Sequence, residues 1–378
     1  MKIVIAPDSF KGTLSSVEVC GIIKKAINDF DGGIETAVVP IADGGEGTVD
    51  AFLHAAGGEK VYATVKDPLL RDVQAYYGIL GDGSAVIEMA AASGLMHVEN
   101  ELKPLEASTF GTGQLILDAV QKGCGRIILG LGGSATTDGG AGAAMALGAK
   151  LLTKRGLPIP PGGGGLSQLY DIDFSEAAKT LCGIEIIVAC DVDNILCGEN
   201  GSAYVFAPQK GADEKQVKTL DDNLSHYAAL LEKKLGRDIA GVKGAGAAGG
   251  FAVSLLAAAD IRIMPGIDVV LETVGFDEII KDADIIITGE GRIDGQSVGG
   301  KVPVGIARAA EPHCIPVVAI GGSLGDDYLK VMDEGVSCVF CSVKDAVPFE
   351  TVKKTCGEDL YQLVRNLLIF GELMNGTV

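Results

Sequence analysis

The sequence has little positive charge. Its 31 Lys and Arg residues are outnumbered by 50 Asp and Glu residues, so the net charge is −19, and no basic stripe or arginine-rich arm stands out. Because proteins bind nucleic acids chiefly through Lys and Arg contacts to phosphate, this composition argues against a nucleic-acid partner. An acidic small-molecule substrate is not excluded, since salt screens surface charge beyond about 8 Å at physiological ionic strength.

The sequence also lacks a segment that would span a membrane. No apolar stretch reaches the ~18 residues of a transmembrane helix, and the N-terminal residues MKIVIAPD meet an acid too early for a signal peptide. The nine cysteines are an odd number scattered through apolar segments, which is typical of reduced thiols. Cys338 and Cys341 fit a CxxC pattern, but both fall in one strand-like run. We therefore expect a cytoplasmic protein with no membrane partner.

Glycine, in contrast, is abundant. The chain has 54 Gly among 378 residues, about twice the usual share of ~7%, and they cluster where apolar runs end. The clearest case is residues 126–140, which read RIILGLGGSATTDGG. Residues 127–131 predict a buried strand, and Asp138 can cap a helix over residues 139–147.

The turn inside this segment carries the groups that bind anions. Gly132 and Gly133 allow a sharp bend with exposed N–H groups, and Ser134, Thr136 and Thr137 add hydroxyl donors. At the start of a helix, such N–H groups and the helix dipole favour a negative ligand. For this loop alone, a glycine-rich connection that merely packs tightly is an equal alternative.

Both ends of the chain alternate strand-like and helical patterns. Strands are predicted at residues 2–6, 36–39, 284–288, 316–320 and 336–342, and helices at 17–30 and 45–56. Ser15 and Glu18 form a capping box at the start of the first helix. This alternation implies a parallel sheet covered on both faces.

The middle of the chain has a different pattern. Residues 60–90 predict three short strands in a β-meander, and residues 156–165, with three Pro and five Gly, an exposed loop. Further strands are expected at 184–189 and 204–206, and helices at 213–235 and 247–259.

We therefore predict an α/β fold with two domains. A doubly wound parallel-sheet domain, Rossmann-like, would be formed by both chain ends, residues 1–61 and 276–378. A second α/β domain that contains the meander would be inserted at residues 62–275.

Polar clusters follow four further predicted strands. They are residues 6–12 (APDSFKG), 40–48 (PIADGGEGT), 189–193 (ACDVD) and 288–294 (TGEGRID). In open α/β sheets, ligands bind at the carboxyl ends of the strands, so we expect these clusters to share a site. Their residue types suit phosphoryl transfer, which needs cations for the spreading charge, carboxylates for Mg²⁺ and one carboxylate near the acceptor hydroxyl.

Individual residues in these clusters have alternative explanations. Lys11 and Arg71 could hold an anionic substrate, or they could be a solvated loop lysine and a turn arginine with a surface partner. The acidic residues that could bind Mg²⁺ or act as a base, or merely cap helices, are Asp43, Asp191, Asp193 and Glu290. A functional role is favoured for Asp43 and Asp191.

Two partial motifs carry less information. Residues 244–249 (GAGAAG) fit GxGxxG, but a helical segment precedes them, which favours a tight helix entry over a dinucleotide site. Residues 295–301 (GQSVGGK) fit the start of a P-loop, but Val302 stands where the Mg²⁺-binding Ser or Thr belongs.

Taken together, these segments resemble the bacterial glycerate kinases of type I, in order and over nearly the whole chain. The segments that carry the resemblance are residues 6–12, 42–48, 130–140, 189–194, 244–250 and 288–294. The resemblance implies phosphorylation of D-glycerate by ATP with Mg²⁺, with 2-phosphoglycerate as the expected product. It also implies two α/β domains with the active site in the cleft between them.

The roles of the individual residues are our own inference from their chemistry and are not implied by the resemblance. Lys11 and Arg71 would bind the glycerate carboxylate, Asp8 and Ser9 would orient its hydroxyls, and Asp191 would be the base. The nucleotide phosphates would be held by Gly132, Gly133, Ser134 and Thr136, and Mg²⁺ by Asp43 and Glu290.

Two other functions stay open at this point. A non-catalytic sensor that binds a nucleotide or another anion would need the phosphate loop but not four acidic strand ends. A nicotinamide oxidoreductase would depend on the GxGxxG segment alone. The sequence is also compatible with a homodimer.

Overall fold

The chain divides into two units in a computed structural model that describes residues 1–42, 44–45, 47–299 and 301–375. Unit 1 comprises Met1–Asp43, Asp50–Gly57 and Ile267–Val378. Unit 2 comprises Gly44–Val49 and Gly58–Gly266. Each unit is described below by itself.

The strands, numbered along the chain, are short in unit 1 and longer in the first hairpin of unit 2. They are β1 (Lys2–Ile5), β2 (Glu35–Val38), β3 (Gly58–Lys66), β4 (Asp72–Leu80), β5 (Ala85–Glu88), β6 (Arg126–Gly130), β7 (Lys150–Thr153), β8 (Leu169–Asp173), β9 (Glu185–Ala189), β10 (Ile261–Met264), β11 (Ile285–Glu290), β12 (Val317–Gly321) and β13 (Cys338–Cys341).

The helices alternate with these strands. They are α1 (Ser16–Phe30), α2 (Thr48–Ala56), α3 (Ala90–Ser93), α4 (Phe110–Gln121), α5 (Ala141–Ala146), α6 (Ser175–Thr180), α7 (Ser202–Phe206), α8 (Glu214–Leu235), α9 (Ala247–Gly250), α10 (Ala252–Ala258), α11 (Gly266–Val274), α12 (Phe276–Ile280), α13 (Val302–Ala310) and α14 (Phe349–Asn375). Short 3₁₀ segments include Pro208–Lys210 and Ser297–Gly299.

Unit 1 contains a parallel sheet with the strand order β13-β12-β11-β1-β2. Numbered within the unit, this is the doubly wound order 2-1-3-4-5, and the winding direction reverses between β1 and β11. In such sheets, ligands bind outside the carboxyl ends of the strands at the point of reversal. The loops that leave this point carry Lys11, after β1, and Gly291, after β11.

Helices cover both faces of this sheet. Ile3 and Ile5 pack with Ile23 of α1 and Leu360 of α14 in one buried cluster. Because side chains alternate along a strand, Val4 faces the opposite side, where it is also fully buried. On the sheet, α13 packs against β11 and β12. The predicted α/β fold with a doubly wound domain built from both chain ends is confirmed.

Local signals at the first helix are confirmed as well. Ser15 adopts an extended conformation, its hydroxyl accepts the backbone N–H of Glu18, and the Glu18 carboxylate accepts the backbone N–H of Ser15. Two otherwise unsatisfied donors of the first turn are thereby paired, and the helix starts one residue before the predicted position.

Unit 2 contains a six-stranded sheet with the order β10-β9-β6-β5-β4-β3. The three strands β3, β4 and β5 are antiparallel neighbours, so the predicted meander is confirmed. The strands β5, β6, β9 and β10 are parallel. A separate antiparallel pair, β7 and β8, lies in the same unit.

Three local predictions in unit 2 are wrong. Residues 204–206 lie in helix α7 rather than a strand, because Ala203 and Ala207 are buried one turn apart while Tyr204 faces solvent. The predicted helix over 247–259 is two helices, α9 and α10, since Gly249 has φ +76°. Residues 162–165 are largely buried rather than an exposed loop.

The cysteines form no disulfide bonds, as their odd number and scattered positions predict. All nine cysteines are free. Cys338 and Cys341 stand at the two ends of β13 and are half-buried. Over the described part of the chain, no helix combines the length and the apolar character needed to cross a membrane.

Candidate active site

The glycine-rich loop of unit 2 joins β6 to α5. Its backbone lies directly on another backbone segment: the N–H of Gly132 donates to the carbonyl of Gly44 over 3.1 Å, and a Cβ at Gly132 would stand 2.6 Å from Cα of Gly45. Gly133 has φ +70°, a conformation that favours glycine, and faces solvent. The loop is therefore tightly packed on one side and open on the other.

The hydroxyl groups of this loop point in different directions. Ser134 is half-buried, whereas the side chains of Thr136 and Thr137 are fully buried. Among the described residues, neither threonine hydroxyl has a hydrogen-bond partner. Of the three predicted hydroxyl donors, Ser134 is the one that lies at the solvent-facing side of the loop.

Asp138 closes the loop and caps the following helix. It is buried, and its carboxylate accepts the backbone N–H groups of Gly140 and Gly142, at 3.1 and 3.2 Å. It also accepts the N–H and the hydroxyl of Thr109. Burial raises the pKa of Asp138, and these four hydrogen bonds oppose that change. Asp138 therefore pairs N–H groups at the start of the helix, but the helix begins at Ala141 rather than at residue 139, and Gly140 holds the N-cap position.

A buried lysine that the sequence did not single out lies behind the loop. Lys210, in the 3₁₀ segment Pro208–Lys210, is 2% exposed. Its ammonium donates to Oγ of Ser134 over 3.0 Å and to the carbonyl of Thr136 over 2.6 Å. Burial lowers the pKa of Lys210 to about 7, and the nearby Asp138 carboxylate opposes this decrease. Its only local sequence signal is a lysine before a glycine.

Two more glycine-containing segments pack against the backbone of this loop. A Cβ at Gly249 would stand 2.0 Å from the carbonyl oxygen of Thr136, and one at Gly163 would stand 2.1 Å from that of Thr137. The carbonyl of Gly249 also accepts the N–H of Gly139 over 2.9 Å. The GxGxxG segment is thus a close-packing element, as the missing strand before it indicated.

Other predicted residues of unit 2 lie on loops outside this cluster. Asp191 follows β9, is exposed, and accepts the N–H of Gly266 over 2.7 Å. The guanidinium of Arg71 donates to the carboxylates of Asp67 and Glu101, at 2.6 and 3.2 Å. A third bond, to the carbonyl of His97, also measures 3.2 Å.

In unit 1 the predicted residues gather where the winding reverses. Asp8 is buried, its backbone N–H donates to the carbonyl of Gly289, and its carboxylate accepts the N–H of Ser9 over 2.6 Å. Lys11 is exposed, and its backbone N lies 2.9 Å from a Cβ built on Gly291. The loops after β1 and β11 are therefore in contact.

Glu290 ends β11 beside these loops. Its side chain is buried and accepts the hydroxyl of Ser297. Burial raises the pKa of Glu290, while the bond from Ser297 and the positive charges of Lys301 and Lys11 oppose this increase. A buried carboxylate with cations nearby is an arrangement typical of functional sites.

A cavity of about 570 Å³ opens next to Lys11 in unit 1. It is lined by Phe10 and Phe349 on its apolar side and by Ser323 and Ser342 at the ends of β12 and β13. This volume lies within the range of small-molecule sites, roughly 300–1,000 Å³.

The remaining predicted metal ligand, Asp43, lies outside the described residues. Within the described ranges, no three His, Cys, Asp or Glu side chains gather as a ready-made metal cluster. Mg²⁺ sites of phosphoryl-transfer enzymes commonly use only one or two carboxylates together with substrate phosphates. The single buried carboxylate of Glu290 therefore fits a site of this kind.

Comparison with known proteins decides the family. The sequence model of the glycerate kinase family matches residues 3–370. The chain belongs to the glycerate kinase family. A glycerate 2-kinase of Escherichia coli is 46% identical over 369 residues, 97% of each chain. A glycerate kinase of Halalkalibacterium halodurans is 45% identical with the same coverage.

A solved structure agrees over the full length of this family member. The crystal structure of a candidate glycerate kinase 2 from Salmonella typhimurium LT2 superposes with a TM-score of 0.91 at 42% identity. The superposition covers 100% of this chain and 99% of the Salmonella typhimurium chain. The α/β architecture is therefore that of its relatives.

Proposed function

We propose that this chain phosphorylates glycerate with ATP as the phosphoryl donor. The observation that carries the proposal is its 46% identity, over 97% of both chains, to a relative named glycerate 2-kinase. The alternative of a non-catalytic sensor is not favoured, because the chain shares nearly its full length with named kinases.

The expected product is 2-phosphoglycerate from D-glycerate. The oxygen of the 2-hydroxyl attacks the γ-phosphorus of ATP, the bond from that phosphorus to the β,γ-bridging oxygen breaks, and ADP leaves. The hydroxyl proton passes to a carboxylate, for which we propose Asp191. Asp191 suits this role because its carboxylate is exposed on the loop that follows β9 and is oriented by the N–H of Gly266.

Glycerate itself is proposed to bind through Lys11, Arg71, Asp8 and Ser9. Lys11 would hold the carboxylate by charge, since its side chain is exposed at the reversal point of the unit 1 sheet. Three of the five N–H groups of Arg71 serve protein partners, so its contact to substrate would use the remaining ones.

The nucleotide phosphates are proposed to bind at the glycine-rich loop. Gly133 and Ser134 would donate directly, because they lie on its open side. Gly132 and Thr136 would act by shaping the loop, since the N–H of Gly132 already binds Gly44 and the Thr136 side chain is buried.

Mg²⁺ is proposed to bind through Glu290 and Asp43. The Glu290 carboxylate is buried, and burial disfavours its ionised form. A bound cation would offset this cost by stabilising the negative charge, so Glu290 suits a metal ligand. When bound, the metal would neutralise phosphate charge. A cytoplasmic location is proposed from the nine free thiols, and a homodimer remains a proposal for light scattering to test.

The decisive experiment follows the purified protein with ATP, Mg²⁺ and either enantiomer of glycerate. Glycerate-dependent ADP formation is expected, and ³¹P NMR of the product identifies the phosphorylated hydroxyl. ATP binding by calorimetry without turnover of either enantiomer would instead support the sensor.

The role of Asp191 is tested in the same assay. Asp191→Asn should lower kcat by about 10²–10⁴-fold if the residue is the general base. The matched control is Asp171→Asn, because Asp171 lies in β8 of the same unit with its side chain 59% exposed. Activity of Asp191→Asn equal to that of this control would reassign Asp191 to a structural role.

A further inference from the structure

The ammonium group of Lys210 is the feature of unit 2 that the roles above do not use. A lysine that is 2% exposed is unusual, because Lys is almost never fully buried unless it is paired. Here the partners are a hydroxyl and a carbonyl of one loop, Ser134 Oγ and Thr136 O, rather than a carboxylate in direct contact. The arrangement therefore fixes the loop at the cost of desolvating a charge.

The direction of the hydrogen bond at Ser134 has a chemical consequence. Since Lys210 donates to Ser134 Oγ, a lone pair of that oxygen is occupied by the lysine. The hydroxyl proton of Ser134 is then directed away from the ammonium, and a donor whose oxygen also accepts a charged N–H is polarised. Ser134 is half-buried, so this donor is accessible from solvent.

We propose that Lys210 is a positioning residue for nucleotide binding: it holds Ser134 and the carbonyl of Thr136 in place and puts a buried positive charge behind the loop that receives phosphate. The inference rests on the proposed function, which makes the loop a phosphate site. The buried charge acts through a medium of low dielectric, where it attracts an anion more strongly than a surface lysine would.

The charge environment of Lys210 makes the proposal measurable. The ionisable group that acts on Lys210 is Asp138, whose negative charge favours the ammonium. Asp138 also acts on Tyr227, whose buried hydroxyl bonds Ser254. Because the pKa of Lys210 is about 7, a large part of the lysine is neutral at pH 8. A bound phosphate would raise that pKa, so ATP binding at pH 8 should take up a proton.

Two variants separate the hydrogen bonds from the charge. Lys210→Met removes both, and replacing a buried charge with an apolar side chain is often neutral for stability. Lys210→Gln is neutral but still donates. The matched control is Lys234→Met, because Lys234 in the same unit also donates to a backbone carbonyl, that of Ile172, while its side chain is 50% exposed.

The first measurement is ATP affinity by calorimetry, which does not require turnover. Lys210→Met should weaken binding by roughly tenfold to a hundredfold, the loss expected for hydrogen bonds to a charged group. Lys210→Gln should lie between Lys210→Met and the wild type, and Lys234→Met should match the wild type. In turnover, KM for ATP should rise while KM for glycerate stays unchanged.

The second measurement is proton uptake at pH 8, from calorimetry in buffers of different ionisation enthalpy. Uptake by the wild type should be lost in Lys210→Gln, and titration of ATP itself cancels in the comparison. An ATP Kd of Lys210→Met within about twofold of the wild type, or uptake retained in Lys210→Gln, would overturn the inference. A wild type that binds ATP in this way but shows no glycerate-dependent ADP formation would overturn only the proposed function.

Discussion

Asp138 and Thr109 are joined by two hydrogen bonds to the same carboxylate oxygen, one from the backbone N–H and one from the hydroxyl of Thr109, each 2.9 Å long. The Thr109 hydroxyl in turn accepts the N–H of Ala143, in the first turn of α5. Thr109 also immediately precedes α4. A single buried carboxylate thus ties together the start of α4 and the start of α5, the helix that follows the glycine-rich loop.

Removal of this carboxylate should destabilise unit 2. Asp138→Ala leaves the N–H groups of Thr109, Gly140 and Gly142 unpaired in a buried site, and we expect a loss of about 3 kcal/mol. Asp138→Asn should lose less, because its amide oxygen still accepts. Urea unfolding followed by circular dichroism measures both. The control is Asp193→Ala, at an exposed carboxylate, and midpoints equal to that control would contradict the prediction.

A glycine that packs directly against the backbone of the glycine-rich loop should not tolerate a side chain. Gly249→Ala adds a Cβ 2.0 Å from the carbonyl oxygen of Thr136, in addition to the strain of φ +76°. Gly236 is the matched control, since it has φ +68° but nothing within 4 Å. We expect Gly236→Ala to cost about 1–2 kcal/mol from strain alone and Gly249→Ala clearly more. Similar melting temperatures for the two variants would show that the close contact relaxes freely.

The dependence on Mg²⁺ should change at Glu290. Glu290→Gln keeps the shape of the buried side chain and can keep a bond with Ser297, but it removes the charge that would hold a cation. We expect the Mg²⁺ concentration for half-maximal activity to rise by about tenfold or more, which corresponds to at least ~1.4 kcal/mol. Glu278→Gln, at a side chain that is 73% exposed in the same unit, should behave as the wild type. An unchanged Mg²⁺ titration would remove Glu290 from the proposed metal site.

Glycerate affinity should depend on Lys11. Lys11→Met removes an exposed cation at the reversal point of the unit 1 sheet, and we expect KM for glycerate to rise by about tenfold to a hundredfold, the worth of a charge-assisted contact. KM for ATP should change much less. The control variant is Lys330→Met, whose lysine is 63% exposed and paired with Asp327. If both KM values rise together, Lys11 does not act on glycerate alone.

Local sequence signals predicted the elements whose causes are local. The β6–loop–α5 segment, the Ser15 capping box and the meander each follow from residues that are neighbours in the chain. Residues 204–206 favour a strand by propensity, since they are Tyr, Val and Phe, but the burial of Ala203 and Ala207 one helical turn apart decides the structure.

The contacts that complete the loop are not local, and for that reason the sequence did not reveal them. Lys210 lies 76 residues from Ser134 and carries no motif. The Pro and Gly residues of segment 156–165 predict an exposed loop, because these residue types usually mark turns at the surface. The burial of the glycines at 162–165 becomes apparent only when Gly163 is found against the carbonyl of Thr137. Pro and Gly content predicts where a chain turns, but it does not predict which residues pack against the turn.

Gly163 packs against the carbonyl of Thr137, and Gly249 packs against that of Thr136. Three segments that are far apart in the sequence therefore pack backbone to backbone. A chimera that imports one of these stretches from a distant homologue would meet a mismatched neighbour unless the other two travel with it. Divergence of these enzymes should therefore proceed by concerted change at this spot, and recombination libraries will be most productive when their crossovers keep the trio in one parental block.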